Sequence, residues 1–368
     1  MKSRYFLAAL LAVGAQNMLA APAILSEPWH VTARDAHTAV WESLYLVTDE
    51  INGKTSQEKH RYVEAATGLN YIDPLTGTYE ASDEKFEITL QGEALAAKGQ
   101  HQLRLAGNIN AGASVELRTP SGQLLRSNPM GLSFFDSATG NNVLLAEVKD
   151  CAGEQIAPNV ILFRDAFDSI KGSIRYTYTK SGFSQDVILY QNPGSPADWG
   201  LNEASSLLVM YSEFHDLALP PRTTNVVALG SRDERIDLGQ MQIGNGIAYF
   251  QNQEADSTRV YAQWAKLEGR DFLAEAALFQ SVQPMLGKLQ ASVNKPHKAQ
   301  WAQRVLPTQR ELLAKLETRR GKRTELAAGQ TRPIGARAWP AHRLYFGQRD
   351  TDKLNISWRY NILCKRYC

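Results

Sequence analysis

In the stretch GSIRYTYTKSGFSQDVILYQ, Ile174, Tyr176 and Tyr178 alternate with Arg175, Thr177 and Thr179 ahead of a turn at Ser181-Gly182. A period of two gives a strand one buried and one wet face. From Val40 to about Ala276 such short extended runs recur between turn-forming residues. Asn52-Gly53 stands between VWESLYLV and HRYVEAA, Asp73-Pro74 and Gly77 between Tyr71-Ile72 and Thr78-Tyr79, and Pro120-Ser121-Gly122 inside SVELRTPSGQLLRS. Gly140-Asn141 turns LSFFDSATGNNVLLAEV, and Glu268-Gly269 turns RVYAQWAKLEGRDFLAEAALF. Asn-Gly and similar pairs supply the positive φ and preset φ that tight hairpins need. Turns this closely spaced leave little room for crossover helices. The expected fold is all-β, a mainly antiparallel β-sandwich of two packed sheet units.

The proline-bearing loops QNPGSPADWG and ALPPRTT set an expected boundary near residues 191 to 225. They divide a first β-sandwich unit, 36–190, from a second β unit, 191–285, which either stands alone or packs on the first as one domain. After about Gln283 the texture changes. Nine basic residues between Lys295 and Arg323 face only Glu311 and Glu317, so 286–340 reads as a basic flexible linker. Within it, Thr308 and Glu311 form a capping box after Pro307 and ahead of Leu312, Leu313 and Leu316, predicting one short helix.

The chain closes on SWRYNILCKRYC, and 341–368 is expected to be an irregular, poorly packed tail. It suggests translation out of an ancestral frame: Trp358 has a single codon, and reading one nucleotide later forces a glycine before Arg359, followed by triplets that permit strand-forming residues. On that reading Cys364 and Cys368 carry no redox meaning.

At the other end, Lys2 and Arg4 precede an apolar run from Tyr5 to Val13, and Ala20, Ala21 and Ala23 follow. This is the pattern of a signal peptide, 1–23, cut after Ala23. The run is shorter than the ~18 residues a membrane span needs, and no later segment reaches that length. The expected location is therefore secreted or cell-surface, with no transmembrane segment. The 43% hydrophobic content of the 368 residues is enough for sizeable cores, and 40 basic against 38 acidic residues give a net charge of +2 with no footprint for nucleic acid. Three cysteines are too few for a disulfide framework, and Cys151 reads as a small buried or half-buried side chain rather than a reactive thiol.

Catalytic signatures are sparse. Ser133 in GLSFF lacks the second glycine of a nucleophile elbow, and Gly53-Lys54-Thr55 imitates the end of a phosphate loop without its first glycine. His30, His37, His60, His101, His215, His297 and His342 are scattered, with no metal-ligand spacing. Glu213, His215 and Asp216 put three acid/base or ligand groups in four residues; on a strand the first two share a face and the third points away. Asp136, Glu147, Asp150, Asp165 and Asp168 could supply paired carboxylates for glycoside hydrolysis, but they read more simply as turn formers and solvated strand residues. The sequence assigns no catalytic, cofactor-binding or metal-ligating residue and implies no cofactor. Aromatics offer a better lead, since sugars and peptides are often held by Trp and Tyr on a sheet face: Trp41, Tyr71, Tyr79, Tyr176, Tyr178, Trp199 and Trp264 are the candidates. Aromatics alternating on strands more often fill the core between packed sheets.

YVEAATGLNYIDPLTGTYEASDEKFEI, GLSFFDSATGNNVLLAEVKDCAGEQIAPNVILFRDAFDSIKGSIRYTYTKSGFSQDVIL and WAKLEGRDFLAEAALF together resemble the N-terminal all-β region of very large exported bacterial proteins. Those proteins continue into parallel β-helix or YD-repeat (RHS-like) segments. The resemblance covers roughly residues 36 to 285 and carries no catalytic residues with it. It implies an exported module that heads a longer repeat protein, with its own downstream repeats as one partner. The expected function is a non-catalytic cap, anchor or adhesin-like head, with surface polysaccharide as a second partner. The rival is a carbohydrate-binding or polysaccharide-degrading domain.

Overall fold

In the computed structural model the described residues are 25–26, 28–48, 53–215, 217, 220–227, 232–244, 246–250, 254–267, 269–289 and 356–364. The signal segment and the helix expected at 308–316 lie outside them. Among the described residues the protein is all-β and antiparallel, with one short α-helix near the end of the body.

A small sheet comes first: β1 (Leu25–Ser26), β2 (His30–Arg34), β3 (Thr38–Thr48) and β4 (Thr55–Ala65), with β3 in the middle. β4 pairs with β3 from Thr38↔Ala65 to Thr48↔Thr55, and β1 and β2 share the other edge of β3. Gly53 adopts positive φ in the connection, and Asn52 lies outside the described residues. A hairpin of β5 (Asn70–Ile72) and β6 (Tyr79–Ala81) follows, turning through Gly77 at φ 70°. Gln100 ties both pieces to the body, donating from Nε2 to the Ala36 carbonyl at 2.5 Å and the Asn70 carbonyl at 2.9 Å. Gly68, at φ +72°, passes so close to Lys180 that a Cβ would lie 1.9 Å from its carbonyl oxygen, so no other residue fits.

One sheet of the body starts with β7 (Glu87–Ile88), β8 (Ala94–Ala96), β9 (Gln102–Leu105), β10 (Val115–Arg118), β11 (Leu124–Asp136) and β12 (Asn142–Glu147). The other starts with β13 (Gly153–Ala157), β14 (Val160–Phe163), β15 (Gly172–Thr179) and β16 (Gly182–Leu189). β17 (Ser206–His215) returns to the first sheet beside β11, and β18 (Arg222–Val226), β19 (Arg232–Leu238), β20 (Met241–Ile243) and β21 (Gly246–Phe250) extend the second. β22 (Thr258–Leu267) pairs with β21 through Val260 and with β23 (Arg270–Leu278) from Tyr261 onward. It turns the corner between the sheets, and the ladder closes around the core. The helix α1 (Phe279–Leu286) then buries Phe279, Val282 and Leu286, a one-face spacing.

One cluster of buried side chains takes in Leu132 and Phe134 on β11, Tyr176 and Tyr178 on β15, Met210 on β17, Ile243 on β20 and Trp264 on β22. The expected division near 191–225 therefore does not separate two cores. β11 and β17 pair from Arg126↔His215 to Asp136↔Ser206 across that division. Nor does the body stop at 285, because Leu286 and Leu289 are buried in the same cluster.

The tail brings the clearest correction. Ile356–Cys364 forms β24, not an irregular segment. Its backbone pairs with β16 from Leu189↔Ile356 to Gly182↔Leu363, and on its other edge with β21 and β20. Ile356, Trp358, Tyr360 and Ile362 fall at every second position, a strand period that the apparent lack of pattern had hidden. All eight residues of β16 are buried, so its outer edge needs a partner.

A chain ending at Leu289 should accordingly be less stable by about 3–5 kcal/mol, since each lost ladder bond is worth about 1 kcal/mol net and the exposed edges stay half-buried. A synthetic peptide of residues 354–366 added to that chain should raise its melting temperature in a saturable way. Equal melting temperatures for the short and full chains would rule out a role for β24 in the sheet.

Candidate functional site

The N-terminal sheet presents a row of rings on one face. Trp41 and Tyr62 are cross-strand partners on β3 and β4, stacked at 6.0 Å with planes 9° apart. Trp29 meets Tyr62 edge-on at 4.9 Å and Tyr45 at 6.4 Å, and Tyr45 lies 4.4 Å from the His60 ring. Trp41, Ser43 and Tyr45 on β3 and Tyr62 and His60 on β4 share this face because their registers keep one parity. Trp29 is 38% exposed and Tyr62 47%, unusual for rings of this size. Trp41 donates from Nε1 to Glu64 at 2.9 Å, which fixes its ring plane. The opposite face carries charge: Glu42 bonds Lys59 at 2.6 Å and lies 4.0 Å from Arg61.

A cleft of about 540 Å³ opens at the β2–β3 turn of the same sheet. The β5–β6 hairpin supplies Tyr71 and Tyr79 to its wall, the β8–β9 loop Gln100 and Gln102, the β10–β11 turn Arg118, and the β19–β20 turn Gln240. Tyr71 is buried, whereas Tyr79 is 37% exposed.

Of the aromatic candidates, Tyr176, Tyr178 and Trp264 belong to the core, and Trp199 is half-buried against it. Only Trp41, Tyr71 and Tyr79 stand at a surface or cleft. Trp29, Tyr45, Tyr62 and His60 were missed, although the alternation of Tyr62 with His60 in EKHRYVEA was there to be read.

Glu213 and His215 share a face as expected, His215 Nδ1 lying 3.9 Å from Glu213, and Asp216 is outside the described residues. Glu213 is buried and both its oxygens are taken by Arg270, at 2.7 and 2.6 Å. His215 Nε2 bonds Asn128 at 2.7 Å. These are structural contacts. The acids considered for glycosidase chemistry are similarly engaged: Asp150 accepts from Asn108 and Asn110, Asp165 pairs with Lys149, and Asp168 accepts the Glu147 N–H. Asp136 would be raised by burial, but the Ser205 hydroxyl, the Ala138 N–H and the Thr139 hydroxyl outweigh that and hold it below the usual carboxylate range. Cys151 donates its thiol to the Arg164 carbonyl, and burial followed by the Asp165 charge pushes its pKa up. No group of three His, Cys, Asp or Glu side chains among the described residues could hold a metal, and no described helix is long and apolar enough to cross a membrane.

No protein-family model, curated protein or solved structure matches the chain.

Two buried groups give the protein a pH signature. Burial, then the Asp186 charge, pushes Glu275 well above its ordinary value. A raised carboxyl keeps its proton in the folded state while the unfolded chain loses it, so stability falls as pH rises above about 4.5. Burial lowers His101 to about 4. The unfolded chain then binds the extra proton, so stability is lost as pH drops from about 6.5 toward 4. The two slopes oppose each other in that window. Glu275→Gln should therefore leave stability rising with pH up to about 6.5 and should stabilise the protein at pH 7–8 in urea denaturation. An unchanged pH profile in the variant would show that Glu275 is ionised in the native state.

Proposed function

We propose that the protein is an exported, non-catalytic β-sandwich head that anchors at a cell surface by holding polysaccharide on its N-terminal sheet. The observation that carries this is the ring row of Trp29, Trp41, Tyr45 and Tyr62, exposed at Trp29 and Tyr62 and half-buried at Trp41 and Tyr45. Pyranose rings present apolar C–H faces that stack on aromatic planes while their rims need hydrogen bonds. Glu64, His60 and Glu58 border the rings on β4 and can meet such hydroxyls. Export is supported by Lys2, Arg4 and the apolar run that follows them. A role as the head of a longer repeat protein rests on the resemblance alone.

Affinity electrophoresis of the full chain through gels containing soluble polysaccharides tests the proposal. Retardation by at least one polymer is expected, and the double variant Trp29→Ala/Tyr62→Ala should weaken it about tenfold or more, since each lost ring contact costs about 1 kcal/mol. Both side chains are surface-exposed, so the variant should keep the wild-type melting temperature. Retardation that persists unchanged in the double variant, or is absent for every polymer, would overturn the proposal.

A further inference from the structure

The cleft beside the ring row has a chemistry of its own. Two phenol rings, three side-chain amides, the His37 imidazole, whose Nδ1 accepts the Gly68 N–H, and one guanidinium line it, a set rich in hydrogen-bonding groups with Arg118 as its one permanent charge. Gln240 Oε1 is buried there without a hydrogen-bond partner, and an amide oxygen left dry and unpaired costs about 1–3 kcal/mol. A ligand hydroxyl would repay that cost. Arg118 contacts only the Gly122 carbonyl, at 3.5 Å, and has no carboxylate partner among the described residues. Its donors are free to fork onto a ligand's oxygens. Gln100 has its amide nitrogen committed to the Ala36 and Asn70 carbonyls, and Gln102 has its own committed to Ala97, which leaves both amide oxygens to accept.

Charge separates the possible ligands. Arg118 brings one positive charge to the wall. Among the described residues no carboxylate lines the cleft, but Glu80 is the cross-strand partner of Tyr71 and Asp73 sits in the same hairpin's turn; burial first, then Glu80, Asp73 and more remote acids, pushes the Tyr71 hydroxyl pKa up. An anionic sugar would gain one attraction and meet several repulsions. A neutral, hydroxyl-rich ring meets neither. The volume suits one or two pyranose units, since small-ligand sites begin at about 300 Å³.

We propose that this cleft is a binding subsite for a neutral pyranose unit, with the exposed Tyr79 stacking on its C–H face, Tyr71 on the other face of the hairpin closing the wall, Gln240 Oε1 accepting one hydroxyl and Arg118 donating to ring or hydroxyl oxygens. The subsite extends the glycan-holding function inferred for the ring row and rests on it. It adds a place for a short chain or chain end, where the open sheet face holds polymer.

The two are separable by ligand length and by variant. Isothermal titration of the full chain with neutral tetrasaccharides of glucose, mannose, galactose and N-acetylglucosamine, and with tetragalacturonate, should show binding of at least one neutral member and none of the acidic one. Tyr79→Ala and Gln240→Leu should each weaken that binding about tenfold, the loss of roughly one contact. Tyr79→Phe should retain it, which separates loss of the ring from a disturbed hairpin. Trp29→Ala/Tyr62→Ala should change it less than about twofold while weakening polymer retardation about tenfold or more. If tetrasaccharide binding is lost only in the Trp29/Tyr62 variant, the cleft is not a subsite and the ring row alone binds. Binding of tetragalacturonate in preference to the neutral panel overturns the charge assignment and the proposal with it. No binding of any neutral tetrasaccharide, with polymer retardation intact, overturns the cleft and leaves the ring row standing.

Discussion

The pairing of β11 with β17 is the constraint on which the rest of the body depends. Leu132 meets Met210 and Phe134 meets Leu208 across a long stretch of chain. Closing such a loop costs entropy before any contact repays it. The repayment is large because nearly every residue of β17 is buried and its other edge takes β23. With β23 fixed, β22 must follow and turn the corner into the second sheet. Pro129, which cannot donate to a ladder, stands at the bulge of β11, where the pairing slips by one residue. Gly131 follows at once, and there a Cβ would lie 2.4 Å from the Ala146 carbonyl oxygen of β12.

Charge enforces the same register. Glu213 on β17 and Arg270 at the start of β23 are both buried and bonded through two hydrogen bonds. Arg175 holds Asp186 in the same manner between β15 and β16. A slip of one residue would send each charge to the opposite face and leave its partner dry, an error costing about 3–5 kcal/mol. These pairs add little net stability over an apolar equivalent, but they penalise the wrong pairing heavily. Glu275 differs, since among the described residues it sits on the core face with no cation bonded to it and avoids the penalty by keeping its proton.

The N-terminal sheet depends on the body for its placement and on itself for its surface. Gln100, Asn70 and Gly68 seat it through backbone contacts that tolerate almost no change of side chain. β4 is exposed along its whole length, a hazard for edge-to-edge aggregation. Its charges Glu58, Lys59, Arg61 and Glu64 counter that hazard, while Tyr62 and His60 between them keep one face apolar enough to stack a ligand. Lys59 and Arg61 lie on the opposite face, whereas Glu58 and Glu64 border the rings, so charge guards both faces of the strand.

The local chemistry of the chain was sufficient for its turns. The segments 73–78, 119–123 and 137–141 turn where Gly77, Gly122 and Gly140 take positive φ, because a hairpin turn is decided by a few adjacent residues. The all-β class followed from the same signals. The sequence could not choose among strand partners, since period-two alternation says that a face is buried and nothing about what buries it. Tyr176 and Tyr62 stand in equally alternating runs, yet one is sealed between two sheets and the other is 47% exposed among the described residues. The partner of β16 came from a strand at 356–364, and the unity of the core from β17. Both are pairings between distant segments, fixed by the burial and hydrogen-bond satisfaction of the assembled sheets, so only the tertiary structure decided them.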